Sequence, residues 1–214
     1  MSQTKINVGM IDASSIGNAK LLQGNGAWVD AASPGWEFVE VVTASTSSTI
    51  ELGEGNISAG YSYQINCIQV KDSVDLTEAN SPILQYGTSS GPTYQTSGYT
   101  SEFLWHSTTM KDGGRDPMTD GLPLIIGSAG FGESVGGAGA GEVWDADVWI
   151  SDPATSSEHM YFANCSGHNH ANQIILNICC GYRSTAEVIT GFRIKPKSGT
   201  FESGKFVLSK RKIA

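Results

Sequence analysis

The residues best suited to chemistry form one short cluster at positions 165–170, where a cysteine lies close to two histidines. Thiolate and imidazole groups are preferred ligands of Zn²⁺, so Cys165, His168 and His170 could bind zinc with a fourth ligand from elsewhere. A second hypothesis requires a trimer, because His168 and His170 point the same way in an extended chain. Three chains on one axis would then offer six imidazoles to an octahedral transition metal. A polar hairpin loop is the alternative for this segment, since motifs this short recur by chance.

Tryptophan side chains indicate a second kind of site, a platform on which a sugar ring could stack. The chain contains five tryptophans. We expect Trp105, His106 and Trp149 to be partly exposed and to contact a receptor or a glycan. The alternative is burial in the core or at an interface, which is the usual position of Trp in a small domain.

Carboxylates are present, but they form no recognisable catalytic set. Asp145 and Asp147 share one face of a strand, and they could bind Ca²⁺ only if loop carbonyls joined them, since this ion takes roughly six to eight oxygen ligands. A glycosidase needs two carboxylates about 5–9 Å apart across a cleft, and no pairing is visible in the sequence. The acidic residues available for such a pair include Glu102, Asp112, Asp116, Glu142, Asp145 and Asp147. We therefore predict a non-enzymatic protein that needs no cofactor.

Composition and charge limit the partners of the chain. Its 214 residues carry a formal charge of −8, include 26 glycines and are only 16% charged. An acidic chain disfavours general nucleic-acid binding. No apolar run approaches the ~18 residues of a membrane span. We therefore expect neither nucleic-acid binding nor membrane insertion, and a composition of this kind favours strands and turns.

Basic residues are concentrated near the C-terminus. Residues 193–214 contain seven Lys and Arg residues and a single acidic residue, Glu202. Such a window could dock on an acidic surface or on a neighbouring subunit. The predicted docking edge consists of Arg193, Lys195, Lys197, Lys210, Arg211 and Lys212. The alternative is a solvated edge strand that its lysines protect from aggregation.

Short β-forming runs, separated by Gly, Ser, Asn, Asp and Pro, dominate the chain after position 35. The predicted strands cover residues 36–43, 49–52, 61–70, 83–86, 102–106, 122–126, 141–150, 159–164, 173–181, 188–195 and 205–208. Residues 61–67 and 142–150 alternate clearly, which is typical of antiparallel sheet with one face open to water. The longest predicted loops cover residues 87–100 and 107–121.

These elements predict an all-β fold. No helical pattern separates the strands, so βαβ units are not expected. We predict an antiparallel β-sandwich of jelly-roll type over residues 36–214. Residues 1–35 are polar with isolated apolar positions, and we expect them to form an extended N-terminal arm that serves for attachment.

Residues 189–214 resemble the closing strands of jelly-roll domains in virion proteins of tailed bacteriophages. In those domains a strand ends near a Ser-Gly pair, a short segment carries a second pair, and an aliphatic strand closes the sheet. The corresponding residues are Ser198-Gly199, Ser203-Gly204 and residues 206–208. The usual ending has Tyr-Gly after the last Leu, whereas this chain has Ser209-Lys210-Arg211.

Other segments agree with this resemblance. The order of residues 61–79 and 90–99 looks like the middle of the same domains. The lead-in over residues 5–30 is similar to segments that precede distal modules in marine-phage fibre proteins. The His-x-His arrangement is similar to one seen in trimeric phage tail fibres and spikes.

The resemblance implies a structural virion protein, assembled in the host cytoplasm and without a catalytic centre. Its expected role is that of a tail-fibre or receptor-binding appendage, homotrimeric, in contact with other virion proteins and with a host-surface glycan. One alternative is a capsid decoration or head-fibre protein. A second alternative, from another class, is a carbohydrate-active jelly-roll enzyme, because jelly rolls host many unrelated functions.

Overall fold

The computed structural model of the chain describes residues 20–22, 28–30, 35–76, 80–106, 111–116, 119–125, 141–168 and 174–213. Contacts divide the chain into two units, Met1–Pro34 and Gly35–Ala214. In the first unit, β1 (Lys20–Leu22) and β2 (Trp28–Asp30) pair as an antiparallel ladder. The predicted boundary at residues 35 and 36 lies one residue from this division, and the rest of the predicted arm lies outside the described residues.

The described residues of the second unit form thirteen strands and no helix. The strands are β3 (Glu37–Thr43), β4 (Ile50–Leu52), β5 (Tyr61–Asp72), β6 (Ile83–Thr88), β7 (Thr93–Tyr94), β8 (Tyr99–His106), β9 (Lys111–Asp116), β10 (Leu122–Pro123), β11 (Trp144–Ile150), β12 (Met160–His168), β13 (Ile174–Arg183), β14 (Ile189–Lys195) and β15 (Phe201–Lys212). The predicted all-β, antiparallel sandwich is therefore confirmed.

The strands form a small sheet and a large sheet, both antiparallel. The small sheet has five strands, in the order β10-β6-β14-β4 with β7 paired to β6. The large sheet has eight strands, in the order β3-β15-β5-β11-β12-β13-β8-β9. The halves β3-β15-β5-β11 and β10-β6-β14-β4 have the strand order of a jelly roll, in which eight strands form two Greek keys. Strands β12, β13, β8 and β9 widen the large sheet beyond β11.

Alternation of side chains selects the buried face of each strand. Along β11 the four residues predicted to share a face, Trp144, Ala146, Val148 and Ile150, are all buried. The small sheet contributes Phe192, whose ring lies 6.1 Å from that of Tyr63 and 6.3 Å from that of Tyr86, measured between centroids. Aromatic rings from both sheets therefore meet in one core, where each removes a large apolar surface from water.

Every predicted strand has an observed counterpart, but two observed strands lie within the predicted loops. Strand β7 falls in the loop predicted at 87–100, and β9 falls in the loop predicted at 107–121. The sequence of β9 is KDGGRD, which contains no β-branched or aromatic residue. It forms because its backbone pairs with β8 over six residues, and ladder hydrogen bonds do not depend on the side chain. Both strands were missed because their pairing is not encoded in an apolar pattern.

We expect Phe192→Ala to lower the free energy of unfolding by about 3–5 kcal/mol, because the variant leaves a cavity between the two sheets. Phe192 is fully buried, whereas Phe38 on β3 is 65% exposed. Phe38→Ala is therefore the matched control, with an expected change within about 0.5 kcal/mol. Denaturant unfolding of both variants measures the difference, and equal losses would contradict the described core.

Candidate functional site

The side of the large sheet directed away from the small sheet, here called the outer face, is crossed by one row of directly opposed residues. The row consists of Val41, Val207, Asn66, Asp147, Asn164, Ile178, Leu104 and Gly113. Its centre is polar and its flanks are apolar. Residues directly opposite on antiparallel strands have Cβ atoms about 4.5–5.5 Å apart, so neighbours in the row can act on one ligand.

The centre of the row lines a groove of about 310 Å³ between β5, β11 and β12. Its polar residues define what is here called the polar groove: Asn66, Asp145, Asp147, Asn164 and Ser166. The Nδ2 of Asn66 donates a hydrogen bond to Oδ1 of Asp147. The other carboxylate oxygen of Asp147, Oδ2, has no partner among the residues that the structure describes, so it can accept a hydrogen bond from a ligand.

Asp145 has a different role from Asp147, although the two carboxylates share one strand face. Its Oδ1 accepts a hydrogen bond from the backbone N of Gln69 at 2.8 Å, and its Oδ2 accepts one from Gln69 Nε2 at 3.2 Å. Gln69 has a φ of 50°, in a region where the register between β5 and β11 shifts. Asp145 therefore stabilises a β-bulge, a feature that bends and twists its strand.

An aromatic pair borders the polar groove two residues farther along the same strands. Trp149 on β11 lies directly opposite Phe162 on β12, with ring centroids 5.5 Å apart and planes inclined by 39°. Phe162 is 43% exposed, and Trp149 is half-buried. The prediction that Trp149 is partly exposed is confirmed, whereas its contact with a glycan stays a prediction.

Beyond the groove, the outer face becomes apolar across β13 and β8. Leu104, Ile174, Leu176 and Ile178 are all exposed there. A second depression of about 380 Å³ lies beside them and includes Cys180 in its lining. The outer face thus passes from hydrogen-bonding groups to apolar surface within a few strands.

The prediction that Trp105 is exposed is wrong. Its side chain is 2% exposed and belongs to the core, because odd-numbered residues near the end of β8 point inward. His106, the next residue, is exposed on the outer face and lies opposite Leu176. Any contact of His106 with a receptor stays a prediction.

Zinc binding by Cys165 together with His168 is excluded by the alternation of β12. Cys165 is buried on the inner face with its Sγ directed to the carbonyl oxygen of Leu124, whereas His168 is exposed on the outer face. The described residues contain no group of three or more potential metal ligands. His168 ends β12 rather than lying in a loop, and His170 lies outside the described residues, so the shared metal on a trimer axis stays a prediction.

Five of the six basic residues of the predicted docking edge lie on strands of the two sheets, and Lys197 lies in the loop between β14 and β15. In the small sheet, Arg193 donates to Gln85 Oε1 through Nε at 3.0 Å and Nη2 at 2.7 Å, and its guanidinium lies 4.4 Å from the Tyr94 ring centroid. Lys197 pairs with Asp120 at 2.8 Å. Lys195, also on β14, is half-buried.

The other three basic residues are at the end of β15 in the large sheet. Lys210 Nζ lies 4.8 Å from the Tyr61 ring centroid, Arg211 lies over Trp36, and Lys212 is exposed. Strand β14 pairs with both β6 and β4, and β15 pairs with both β3 and β5. Neither is an edge strand, so the expectation of one basic edge is wrong, while docking by these residues stays a prediction.

A buried carboxyl group lies at the end of β5. Asp72 is fully buried, and Trp144 Nε1 donates a hydrogen bond to its Oδ2 at 2.6 Å. Burial raises the pKa of Asp72 from 3.8 to about 7, the Trp144 hydrogen bond acts against this shift, and the charge of Glu202 adds to it. Burial therefore favours the protonated form of this carboxyl group.

Sequence reasoning missed Asn66, Asn164 and Phe162 as parts of this site. The alternation of residues 61–67 indicates that Asn66 lies on the polar face of its strand. The pairing of β11 with both β5 and β12, which brings Asn66 and Asn164 to Asp147, follows only from the fold.

Comparison with known protein families, with curated proteins and with solved structures found no match for this chain. Among the described residues, no helix is long and apolar enough to cross a membrane.

We expect one thiol per chain to react with Ellman's reagent in the native protein and four after unfolding. Cys67, Cys165 and Cys179 are buried, and only Cys180 is exposed. Partial burial and the charge of Glu102 raise the pKa of Cys180, so its reaction is slow and accelerates with rising pH. Cys180→Ser abolishes the native reaction, and a remaining reactive thiol in that variant would contradict the assignment of faces.

We expect the free energy of unfolding to fall as pH rises from about 4 to about 7, because folding raises the pKa of Asp72. In that window the folded state holds a proton that the unfolded state releases, and the slope contributed by one group reaches about 1.4 kcal/mol per pH unit. Asp72→Asn keeps an acceptor for Trp144 and removes the titration. Chemical unfolding between pH 4 and 8 should show that the free energy of unfolding depends less on pH in the variant than in the wild type. The same pH dependence in both proteins would refute the role of Asp72.

Proposed function

We propose that this chain is a non-enzymatic structural protein of a phage virion, a tail-fibre or receptor-binding appendage. Residues 1–35 attach it to other virion proteins, and the β-sandwich displays a recognition surface to the host. The protein acts as a homotrimer, in which His168 and His170 of three chains meet on the axis. It is assembled in the host cytoplasm and is found in the virion.

The observation that supports this proposal best is the outer face of the large sheet. Strands β12, β13, β8 and β9 extend this sheet beyond the jelly-roll half, and most outer side chains of β12, β13 and β8 are exposed. The added surface combines hydrogen-bonding groups with aromatic and apolar groups, the combination typical of ligand sites. A β-sandwich with such an outer face is suited to present a recognition surface to a host receptor.

The resemblance of residues 189–214 supplies the second line of support. It implies a jelly-roll body, and the observed strand order agrees with that expectation. The body places Ser203 and Gly204 where β15 is irregular against β5, next to the closing run at residues 206–208. A fold supports many functions, so this agreement bears on the class of protein and not on the receptor.

A capsid decoration or head-fibre protein is the second candidate, favoured by the exposed basic residues of β15. Lys205, Arg211 and Lys212 are exposed on that strand. They could bind an acidic capsid surface, and such binding would weaken as salt is added.

Antibody labelling of intact virions under the electron microscope tests this proposal. We expect label at the tail and none on the head, in low copy number. Antibody absorbed with the purified protein serves as the control for specific labelling. Label across the head would favour decoration instead, and virions without any label would overturn the virion role.

A further inference from the structure

We propose that the polar groove and the Trp149–Phe162 pair together bind an uncharged saccharide on the outer face. This inference deepens the proposed function, since it names the chemical class that the displayed face recognises. Three features carry it: an accessible aromatic surface, hydrogen-bonding groups beside that surface, and a negative local charge.

The aromatic pair provides the apolar surface that the C–H face of a sugar ring requires. Phe162 is 43% exposed, and its ring lies 5.5 Å from the ring of Trp149. The two rings are neighbours across the ladder of β11 and β12, so the sheet backbone holds them in place. A rigid aromatic surface loses little conformational freedom when a ligand stacks on it.

Hydrogen-bonding groups lie beside the aromatic pair, at a distance comparable to the width of a sugar ring. Asp147 is two residues from Trp149, and Asn164 is two residues from Phe162, a separation of about 7 Å along a strand. Asp147 lies opposite both Asn66 and Asn164. The Asn66 amide donates to Asp147 Oδ1, which orients the carboxylate and leaves Oδ2 for a ligand hydroxyl.

The charge of the groove selects among saccharides. Asp145 and Asp147 both line it, whereas the exposed cation Lys205 lies two strands from β11 and the exposed Glu102 lies three strands from it. A carboxylate or sulfate on the ligand would meet like charges, which disfavour the complex. Hydroxyl groups and acetamido groups carry no charge and can donate to these carboxylates, so neutral sugars are favoured.

The size of the groove limits how much of a glycan it holds. Its volume of about 310 Å³ is near the lower end of the range of small-molecule sites, about 300–1,000 Å³. One or two sugar units fill such a space. The groove is open on the sheet surface, so the rest of a longer chain can continue over the exposed apolar residues of β13.

Isothermal titration calorimetry with the purified full chain tests the inference. The probes are neutral oligosaccharides of glucose, galactose, mannose and N-acetylglucosamine, and acidic oligosaccharides that contain glucuronic acid or sialic acid. We expect at least one neutral probe to bind at millimolar or lower concentration and the acidic probes to bind more weakly. The absence of binding to every neutral probe, or a preference for acidic probes, would overturn the inference.

Single-residue variants test whether the saccharide binds at the polar groove and the Trp149–Phe162 pair. Trp149→Ala and Asp147→Ala should each weaken binding about tenfold or more, because one loses the stacking surface and the other a charge-assisted hydrogen bond. Trp149→Phe should restore part of the affinity. Phe38→Ala is the matched control, since Phe38 is an exposed aromatic three strands away, and its effect should stay below about twofold. Equal affinities of wild type, Trp149→Ala and Asp147→Ala would place binding elsewhere and reject the groove.

Thermal unfolding of each variant separates lost binding from lost folding. If Asp147→Ala fails to fold, Asp147→Asn tests the charge instead: its amide oxygen can still accept from Asn66, and its NH2 group donates to a ligand hydroxyl where Oδ2 accepted. This variant should narrow the difference in affinity between neutral and acidic probes. The alternative occupant of the groove is a second copy of the chain, and analytical ultracentrifugation tests it by measuring the oligomeric state. An oligomer of the wild type that dissociates in Trp149→Ala would make the groove an interface between copies and overturn the inference. Virion labelling is independent of these assays, so failure of saccharide binding and failure of the virion role give different results.

Discussion

The position of β11 between β5 and β12 is the constraint on which both faces of the large sheet depend. Strand β11 ends the jelly-roll half and begins the extension. Its inward residues fill the core, while its outward residues Asp145, Asp147 and Trp149 form the candidate site. A slip of one residue in this pairing would move the carboxylates into the core and Trp144 into water. Core stability therefore specifies the register that the groove needs.

The β-bulge in β5 connects the outer face to the buried carboxyl group. From Tyr63 to Cys67 the odd-numbered residues of β5 are buried, and after the bulge the buried residues are Val70 and Asp72. Asp145 stabilises the bulge through its two hydrogen bonds to Gln69, and the bulge shifts the alternation so that Asp72 faces inward. Gly204, with a φ of 127°, accompanies the bulge on β15, where an added Cβ would lie 2.8 Å from the Cα of Val70.

The parts of this architecture that follow from local pattern could be predicted from the sequence. Alternation along residues 61–67 and 142–150 assigns the correct faces because one side of each strand is buried. The same reasoning failed for Trp105, since a Trp beside a polar His fits either face until the partner strand is known. Strand β9 was missed because its residues carry no apolar signal. The groove depends on three strands distant in sequence, and no single segment encodes it.

The first strand of the body begins, and its last strand ends, at the same corner of the large sheet. Glu37, which begins β3, is paired with Lys210 near the end of β15. Seven strand spacings of about 4.8 Å separate β3 from β9, a width of about 34 Å. A partner that binds the chain next to the start of β3 or next to the end of β15 is therefore attached at the same corner of the sheet. Strands β8 and β9 lie at the opposite margin of the sheet, farthest from this corner, and β8 carries part of the apolar surface of the outer face.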